Sequence, residues 1–485
     1  MVKSLSRRNF LAASVLSGAA LAVKAHAQAP HARVRGANED IRIAVIGVGG
    51  KGTDHAKSFP KLPGVRLVAV CDADRKHTDR IVEYFKKENQ SVKAYTDLRR
   101  VLDDPEIDAI TTATPNHWHA LIGVWACQAG KHAFIEKPVS HNIWEGRQLV
   151  AAARKYRRVV AAGTHNRSSQ GLRAALQYLR EGNLGKIKLA RGFCYKRRPS
   201  IGKVAGPQPI PDSVDYNLWC GPAPMEPLTR TGFRTTTGIS GRRPGRDIGN
   251  QGIHEMDMCR WALGEKGLAP RVFSIGGRFG YDDDGDPPTR RSPRLPSGSL
   301  IFEVRGLPRS SGGDAMDAYR GVRIGIVIEC EGGYFAGGGE AAGFTTTTGS
   351  ASGSSPPTAA AATTPTSSTP SGAVSARNSP PRSRRDISPA PSATLANISY
   401  RLGRHCPSRE VAESVKEGAV AEAYERFLAH LEANGVDPAK VSVRLGTWLS
   451  LDTRRERFQD CPWAMEANAM LSRVYRPPFV VPEAV

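Results

Sequence analysis

Short apolar runs alternate with amphipathic segments through the first third of the chain. The apolar runs have the length of strands and cover residues 41–46, 65–71, 109–113, 132–135 and 159–162. The segments between them have the spacing of helices and cover residues 53–59, 76–88, 98–102, a stretch ending at 129, and 144–156. Near-continuous apolar runs are typical of strands buried on both faces of a parallel sheet. The alternation therefore predicts a doubly wound α/β domain over residues 41–163.

A glycine-rich loop lies between the first predicted strand and the first predicted helix. Its glycines are Gly47, Gly49, Gly50 and Gly52. They permit a tight turn and a close approach of the backbone to a pyrophosphate at the helix N-terminus. Asp72 ends the second predicted strand about twenty residues further on, where an acid binds the adenosine ribose and repels a 2′-phosphate. The pattern predicts dinucleotide binding, with NAD favoured over NADP.

Polar residues follow two later strands of the same predicted sheet. Thr114, Asn116 and His117 come after the strand at 109–113, and Glu136 and Lys137 come after the strand at 132–135. The carboxyl ends of parallel strands are where such folds bind ligands. Lys137, fixed by Pro138, would lie beside a nicotinamide as a proton relay. A Lys-Pro pair can also be a solvated surface feature, and His117 can be a surface residue at a helix start.

These motifs together resemble the Gfo/Idh/MocA family. The resemblance rests on the glycine loop and on residues 113–117, 136–138 and 183–187, and it covers residues 41–343 and 395–485. It is strongest to exported members that carry the sequence found here at 249–257. It implies an NAD(P)-dependent oxidoreductase acting on sugars or cyclitols. It also implies a cofactor site that includes Thr114, Asn116, His117 and Glu136.

The resemblance further implies a second α/β domain, residues 164–485, whose open and mainly antiparallel sheet covers the nicotinamide and makes homo-oligomer contacts. Strands are expected at 186–194, 271–275, 300–304, 322–330 and 334–336. A loop with an aromatic anchor is expected at 216–224, and a helix at 419–433. The tail at 466–482 is expected to pack on the surface.

The expected catalytic residues are Lys137 and His254. A predicted helix at 250–263 would place Asn250, His254 and Asp257 on one face. Family members usually have a carboxylate at the position of Asn250. The amide of Asn250 cannot exchange a proton as a carboxylate can. Asp247 is the nearest substitute. His254 can alternatively be a buried structural histidine.

Composition narrows the classes of function. The 485 residues carry a formal net charge of +22, which raises the question of nucleic-acid binding. No helix has a clear basic stripe, and many arginines fall in two unusual segments, so a nucleic-acid partner is not expected. The eight cysteines are scattered without zinc-site spacing, so neither a metal site nor a disulfide framework is expected.

The N-terminus has the features of an export signal. Arg7 and Arg8 precede an alanine-rich apolar stretch that ends in Ala25-His26-Ala27. This order is typical of a twin-arginine signal peptide, here residues 1–27, followed by a linker at 28–40. The prediction is cleavage after Ala27, export by the twin-arginine machinery, a periplasmic location and no stable membrane insertion. An amphipathic anchor helix is the alternative.

Two stretches lack the pattern of a folded chain. Residues 235–246 contain a threonine run followed by Arg, Pro and Gly, and residues 345–394 are rich in Ser, Thr, Pro and Ala. A disordered linker is one interpretation. Shifted by one base, their codons permit aromatic and acidic strings like those of the family, so a compensated frameshift is favoured.

The function expected from the sequence is NAD-dependent hydride transfer between a sugar or cyclitol hydroxyl and nicotinamide. Two alternatives stay open. One is redox-neutral glycoside cleavage that uses NAD transiently, and the other is a catalytically damaged remnant that still binds NAD.

Overall fold

The computed structural model describes residues 40–229, 246–284, 289–291, 294–295, 298–338, 342–346, 390–416 and 418–485. Several sequence predictions lie outside these residues. They are the signal peptide and its linker, the threonine run at 235–239, and all of 345–394 except the two ends of that stretch.

Six parallel strands form the first sheet, in the order β3-β2-β1-β4-β5-β6. They are β1 (Ile41–Ile46), β2 (Val65–Cys71), β3 (Lys93–Tyr95), β4 (Ala109–Thr112), β5 (His132–Ile135) and β6 (Val160–Ala162). Ala44 and Val45 are adjacent in β1 and both are fully buried, so both faces of the sheet are covered. The apolar runs of the sequence therefore correspond to buried parallel strands.

Five helices cover this sheet. They are α1 (Lys51–Ser58), α2 (Arg75–Lys87), α3 (Leu98–Asp103), α4 (His119–Gln128) and α5 (Ile143–Lys155). Asp74, Asp97 and Asn142 cap α2, α3 and α5, since each side chain accepts a hydrogen bond from a backbone N–H of the first turn. The predicted helices lie within two residues of these bounds.

Among the residues that the structure describes, the second sheet contains thirteen strands. They are β7 (Ile187–Tyr195), β8 (Arg271–Val272), β9 (Ser274–Gly276), β10 (Thr289–Arg291), β11 (Arg294–Leu295), β12 (Gly298–Arg305), β13 (Ile324–Cys330), β14 (Gly333–Gly337), β15 (Ala342–Thr346), β16 (Arg404–Pro407), β17 (Ser442–Leu445), β18 (Leu449–Asp452) and β19 (Arg457–Phe458). β7 and β12 are parallel, whereas the other described pairs are antiparallel. The predicted fold class, a Rossmann-like domain followed by an α/β part with a mainly antiparallel sheet, is confirmed.

The remaining helices are α6 (Gln170–Arg180), α7 (Tyr216–Cys220), α8 (Arg246–Asn250), α9 (Gly252–Ala262), α10 (Ala390–Arg401), α11 (Ser408–Ser414), α12 (Gly418–Glu432) and α13 (Ala464–Ala469). Two predictions are corrected here. The expected loop at 216–224 begins with a short helix, α7, which Asp215 caps by accepting from Leu218 N. The single helix expected at 250–263 is divided at Gln251, since Asn250 ends α8 and Gly252 begins α9.

The C-terminal tail corrects a third prediction. Phe479 and Val481 are each 1% exposed and lie in the hydrophobic core of the first sheet with Trp118. Lys155 Nζ donates to the backbone oxygen of Val485 at 2.6 Å. The end of the tail is therefore part of the core beside the first sheet, where surface packing had been expected.

In the part of the chain that the structure describes, no helix is both long enough and apolar enough to cross a bilayer.

Candidate active site

The glycine loop joins β1 to α1 by a turn that only glycine can make. Gly47 has φ +83°, and a Cβ there would lie 2.7 Å from Thr114 N. A Cβ at Gly52 would lie 1.7 Å from the Gly47 oxygen. These contacts pack α1 directly against β1 and the end of β4.

The start of α1 fits a bound phosphate. No side chain caps the first turn of α1, and a Cβ added at Gly50, its N-cap, would meet nothing within 4 Å. The first backbone N–H groups of a helix need acceptors, and they attract anions together with the helix dipole. Gly49 belongs to the same loop, where its carbonyl accepts from Arg80 Nη2 at 3.0 Å. The four predicted glycines therefore form one turn that is open to a pyrophosphate.

Asp72 lies at the carboxyl end of β2, next to this loop. Its Oδ2 accepts from Val48 N at 2.8 Å, and its Oδ1 accepts from Asp74 N at 2.9 Å. His77 Nδ1, from the first turn of α2, is 3.3 Å from Asp72 Oδ2. The close contact with the Asp72 carboxylate raises the pKa of His77, although burial lowers it. The carboxylate is therefore held rigidly where the adenosine ribose of a dinucleotide would bind.

The residues that follow β4 differ in their surroundings. Thr114 Oγ1 lies 3.0 Å from Thr112 Oγ1, and Asn116 is exposed beside the loop. His117 is only 5% exposed, and its Nε2 lies 3.0 Å from the Trp219 carbonyl. Thr114 and Asn116 are accessible to a ligand, whereas His117 ties this segment to α7.

Behind the β5 end lies a buried polar chain that the sequence analysis did not identify. His55 of α1 is 5% exposed, with Nδ1 2.8 Å from Thr111 Oγ1 and Nε2 3.1 Å from Glu136 Oε1. Burial would raise the pKa of Glu136, but the hydrogen bond with His55 and the charge of Lys137 outweigh it, so this pKa is lowered. His55 follows Gly52 by three residues, and that helical spacing was the available signal. These hydrogen bonds hold the charged Glu136 carboxylate directly behind Lys137.

Lys137 reaches from the end of β5 to the end of α8. Its Nζ donates to the backbone oxygen of Asn250 at 3.0 Å and also contacts Asn250 Oδ1. Burial lowers the pKa of Lys137, and the charges of Lys196 and Lys51 act in the same direction, against Glu136 and Glu255. The predicted pair of Lys137 and Asn250 is thus in direct contact.

His254 lies near Lys137, at the start of α9. It is 4% exposed, and its Nδ1 has no hydrogen-bond partner among the described residues. Burial, with the nearby charges of His165 and Lys137, lowers the pKa of His254 to about 3. The ring is therefore neutral at physiological pH and has an unused polar atom in the interior.

His165 is a second histidine that the sequence analysis missed. It begins a 3-10 helix, His165–Ser168, that follows β6, and its ring centroid is 4.3 Å from that of His254. Burial also lowers the pKa of His165. His165 and His254 are far apart along the chain, so their pairing depends on the tertiary fold. Asp247 lies in α8, but its side chain falls outside the described part.

The sequence of the first sheet and its helices matches a known protein family. The model of an oxidoreductase family with an NAD-binding Rossmann fold, Gfo/Idh/MocA, matches residues 41–164. A glycosyl hydrolase family 109 protein of Shewanella sp. (strain ANA-3) is 36% identical over 172 residues, which are 31% of this chain and 38% of that protein. The myo-inositol 2-dehydrogenase of Thermotoga maritima is 26% identical over 236 residues, which are 49% of this chain and 58% of that enzyme.

Among solved structures, the WlbA dehydrogenase of Bordetella pertussis, in complex with NADH and UDP-GlcNAcA, is similar with a TM-score of 0.47. It is 17% identical, and the match covers 64% of this chain and 79% of that one. The chain thus matches less than two thirds of the length of the curated relatives described here. The predicted cofactor class is confirmed: residues 41–164 are an NAD-binding Rossmann domain of the Gfo/Idh/MocA oxidoreductase family.

Proposed function

We propose that this protein is an NAD-dependent oxidoreductase that acts on a hydroxyl group of a sugar or cyclitol. The observation that carries the proposal is the position of Lys137. It extends from the end of β5, two strands along the sheet from β1 and its glycine loop, contacts Asn250 of α8, and has a pKa lowered by burial. A lysine of reduced basicity beside a dinucleotide site is suited to move a hydroxyl proton.

The geometry supports a proposal for the residues that hold the cofactor. The N-terminus of α1 and the glycine loop take the pyrophosphate, Asp72 takes the adenosine ribose, and Thr114 and Asn116 border the nicotinamide side. When bound, NAD⁺ supplies the hydride acceptor, and the protein supplies orientation and charge. Residues of this chain then have to accept the proton of the substrate hydroxyl.

In the proposed mechanism Lys137 accepts the proton of the substrate hydroxyl as its neutral amine. The Glu136 carboxylate behind it stabilises the ammonium that forms. His254 is too weak a base to store the proton, so it enters as a neutral hydrogen-bond partner of the substrate. Asn250 orients Lys137 through its backbone and side-chain oxygens, in place of the carboxylate that the family pattern would have there.

Redox-neutral glycoside cleavage is the second candidate. Its support is the similarity to a glycosyl hydrolase family 109 protein over 172 residues. In this reaction the sugar would first be oxidised to a ketone, the proton on the adjacent carbon would be removed, and the aglycone would leave with the bonding electrons. Water would then add across the double bond so formed, and return of the hydride would restore the hydroxyl. The same site could serve, with Lys137 as the group that moves protons and the neutral rings of His165 and His254 as hydrogen-bond partners of the sugar.

One experiment separates the candidates. The purified chain is incubated with NAD⁺ and a panel of free sugars, cyclitols and nitrophenyl glycosides, while NADH and nitrophenol are both followed. Accumulation of NADH with a free sugar or cyclitol supports oxidation. Release of nitrophenol without net NADH supports glycoside cleavage. NADH binding without either product would support the damaged remnant.

We also propose export by the twin-arginine route, a periplasmic location and assembly as a homo-oligomer. The export proposal is supported by Arg7, Arg8 and the small residues before position 28. Fusion of residues 1–40 to a reporter that is active only after export of a folded protein tests it. Replacement of both arginines by lysine should abolish the export of that reporter.

Cofactor choice gives a prediction at Asp72. Asp72→Asn should weaken NADH binding and strengthen NADPH binding, because the substitution removes the charge that repels a 2′-phosphate. The ratio of the NADPH to the NADH dissociation constant should fall by at least about tenfold, as expected for one unit charge at close range. Titration by NADH and NADPH fluorescence measures both constants. An unchanged ratio would contradict the assignment of Asp72 to the ribose.

A further inference from the structure

The Asp72 carboxylate contacts a histidine ring as well as the glycine loop. Beside the backbone N–H of Val48, its Oδ2 faces the ring of His77 at 3.3 Å. The side chain of Asp72 is 10% exposed and that of His77 is 21% exposed, so little water separates the two groups. A titratable cation-forming ring thus lies on the carboxylate that faces the ribose.

The ring of His77 is fixed by its position on α2. It is in the first turn, where its backbone N donates to the Asp74 oxygen at 3.0 Å. Its Nε2 lies 3.8 Å from Asp74 Oδ2, so both nitrogens face carboxylates. The second carboxylate is itself committed, because Asp74 caps α2 by accepting from Lys76 N. The ring therefore has a defined place between two acids at the mouth of the ribose site.

We propose that His77 is a specificity-determining residue of the cofactor site, whose ring sets how strongly Asp72 rejects a 2′-phosphate. A neutral ring leaves the full negative charge of Asp72 to repel the phosphate of NADP. A protonated ring neutralises that charge and adds a cation within reach of the phosphate. The protein then selects NAD strongly at higher pH and accepts NADP at lower pH.

The charged groups around the ring determine the direction of this effect. Asp72 raises the pKa of His77 through its contact at 3.3 Å, and burial lowers it. The charges of Asp72 and Asp74 raise this pKa further, and the charge of Arg80 lowers it. The net result is a pKa above the ordinary value of 6.5. Arg80 does not compete for Asp72, because its guanidinium donates to the carbonyls of Val48 and Gly49.

The sign of the pH dependence follows. Below the raised pKa the ring is charged and NADPH binding is tolerated. As pH rises through this pKa the ring loses its proton. The dissociation constant of NADPH should then rise by a further factor of at least about ten, the effect of one unit charge at close range. NADH, which has no 2′-phosphate, should change less.

The test compares the unaltered chain with His77→Asn, which keeps an amide N–H near the position of Nδ1 but does not titrate. Dissociation constants of NADH and NADPH are measured by fluorescence from about pH 5.5 to about pH 9, a range around the ordinary pKa of histidine. The 2′-phosphate itself titrates near pH 6. The asparagine variant records that contribution alone.

The expected result is a difference between the two curves. In the unaltered chain the ratio of the NADPH to the NADH constant should rise through the titration of His77. In His77→Asn it should follow only the phosphate and stay near the high-pH value of the unaltered chain. His405→Asn, an exposed histidine of β16, should reproduce the unaltered curve. Parallel curves for the unaltered chain and His77→Asn would overturn the proposal. Because binding alone is measured, the test does not depend on the substrate.

Discussion

Replacing Lys137 by methionine is expected to lower turnover by about a hundredfold to ten-thousandfold, the range for loss of a positioned acid–base group. NADH binding should change little, because Asp72 and the glycine loop hold the cofactor without Lys137. The loss should appear in kcat more than in KM, since the proton moves only as the reaction proceeds. Initial rates with the substrate found in the panel, together with NADH titration, measure both effects.

Lys131 provides a matched control at the other end of the same strand. Its side chain is buried, its Nζ donates to the carbonyls of Asp104 and Ile107 at 2.7 and 2.9 Å, and burial lowers its pKa too. Lys131→Met should reduce thermal stability but leave turnover per folded molecule unchanged. If the two variants lose turnover equally, Lys137 has no special role in the chemistry.

The pH dependence offers an independent check on Lys137. Because its pKa lies below the ordinary 10.5, the neutral amine becomes populated at a lower pH than in a solvated lysine. The rate of alcohol oxidation should therefore rise with pH through that lowered pKa and then level off. The residual activity of Lys137→Met should lack this rise. A rise that persists unchanged in the variant would assign the proton transfer to another group.

Much of the first sheet and the helices that cover it could be predicted from the sequence, because these elements carry local signals. The strands β1, β2 and β5 were predicted with the bounds that the structure shows, since each is a continuous apolar run between polar segments. The glycine loop is also local, because its conformation depends on the missing Cβ atoms. Only the start of α1 was placed two residues late, since the helix begins within the glycines.

The candidate site was less predictable because its contacts are remote in sequence. Lys137 meets Asn250 across 113 positions, and His55 meets Glu136 across 81. Periodicity gives the face of an element but not its neighbour in the fold. The break at Gln251 was missed because the predicted helix ran from Asn250 straight through Gly252, although glycine is a poor helix former.

The tail gave the clearest failure of sequence reasoning, and it leads to the second large prediction. Arg473 Nε donates to Glu145 Oε1 at 2.8 Å, and its Nη2 donates to the His117 carbonyl at 2.8 Å. Tyr475 OH also donates to Glu145 Oε1, at 3.0 Å. The side chain of Glu145 is fully buried, and that of Arg473 is 14% exposed. These bonds fasten the tail to the start of α5 and to the segment after β4.

Arg473→Met is expected to destabilise the protein by about 3–5 kcal/mol, because it leaves the Glu145 carboxylate buried without its cation. Urea unfolding of the full chain, followed by tryptophan fluorescence, measures the change. Arg404→Met removes an arginine of similar size whose partner, Glu410, lies with it at the surface, and should change stability little.

The double variant Arg473→Met with Glu145→Leu distinguishes a lost ion pair from lost packing. A buried pair replaced on both sides by apolar residues is often nearly neutral, whereas removal of one partner strands a charge. The double variant should therefore recover much of the stability lost in Arg473→Met. If it is instead as unstable as the sum of the two single variants, the tail is held by the packing of Phe479 and Val481 and not by the charge on Glu145.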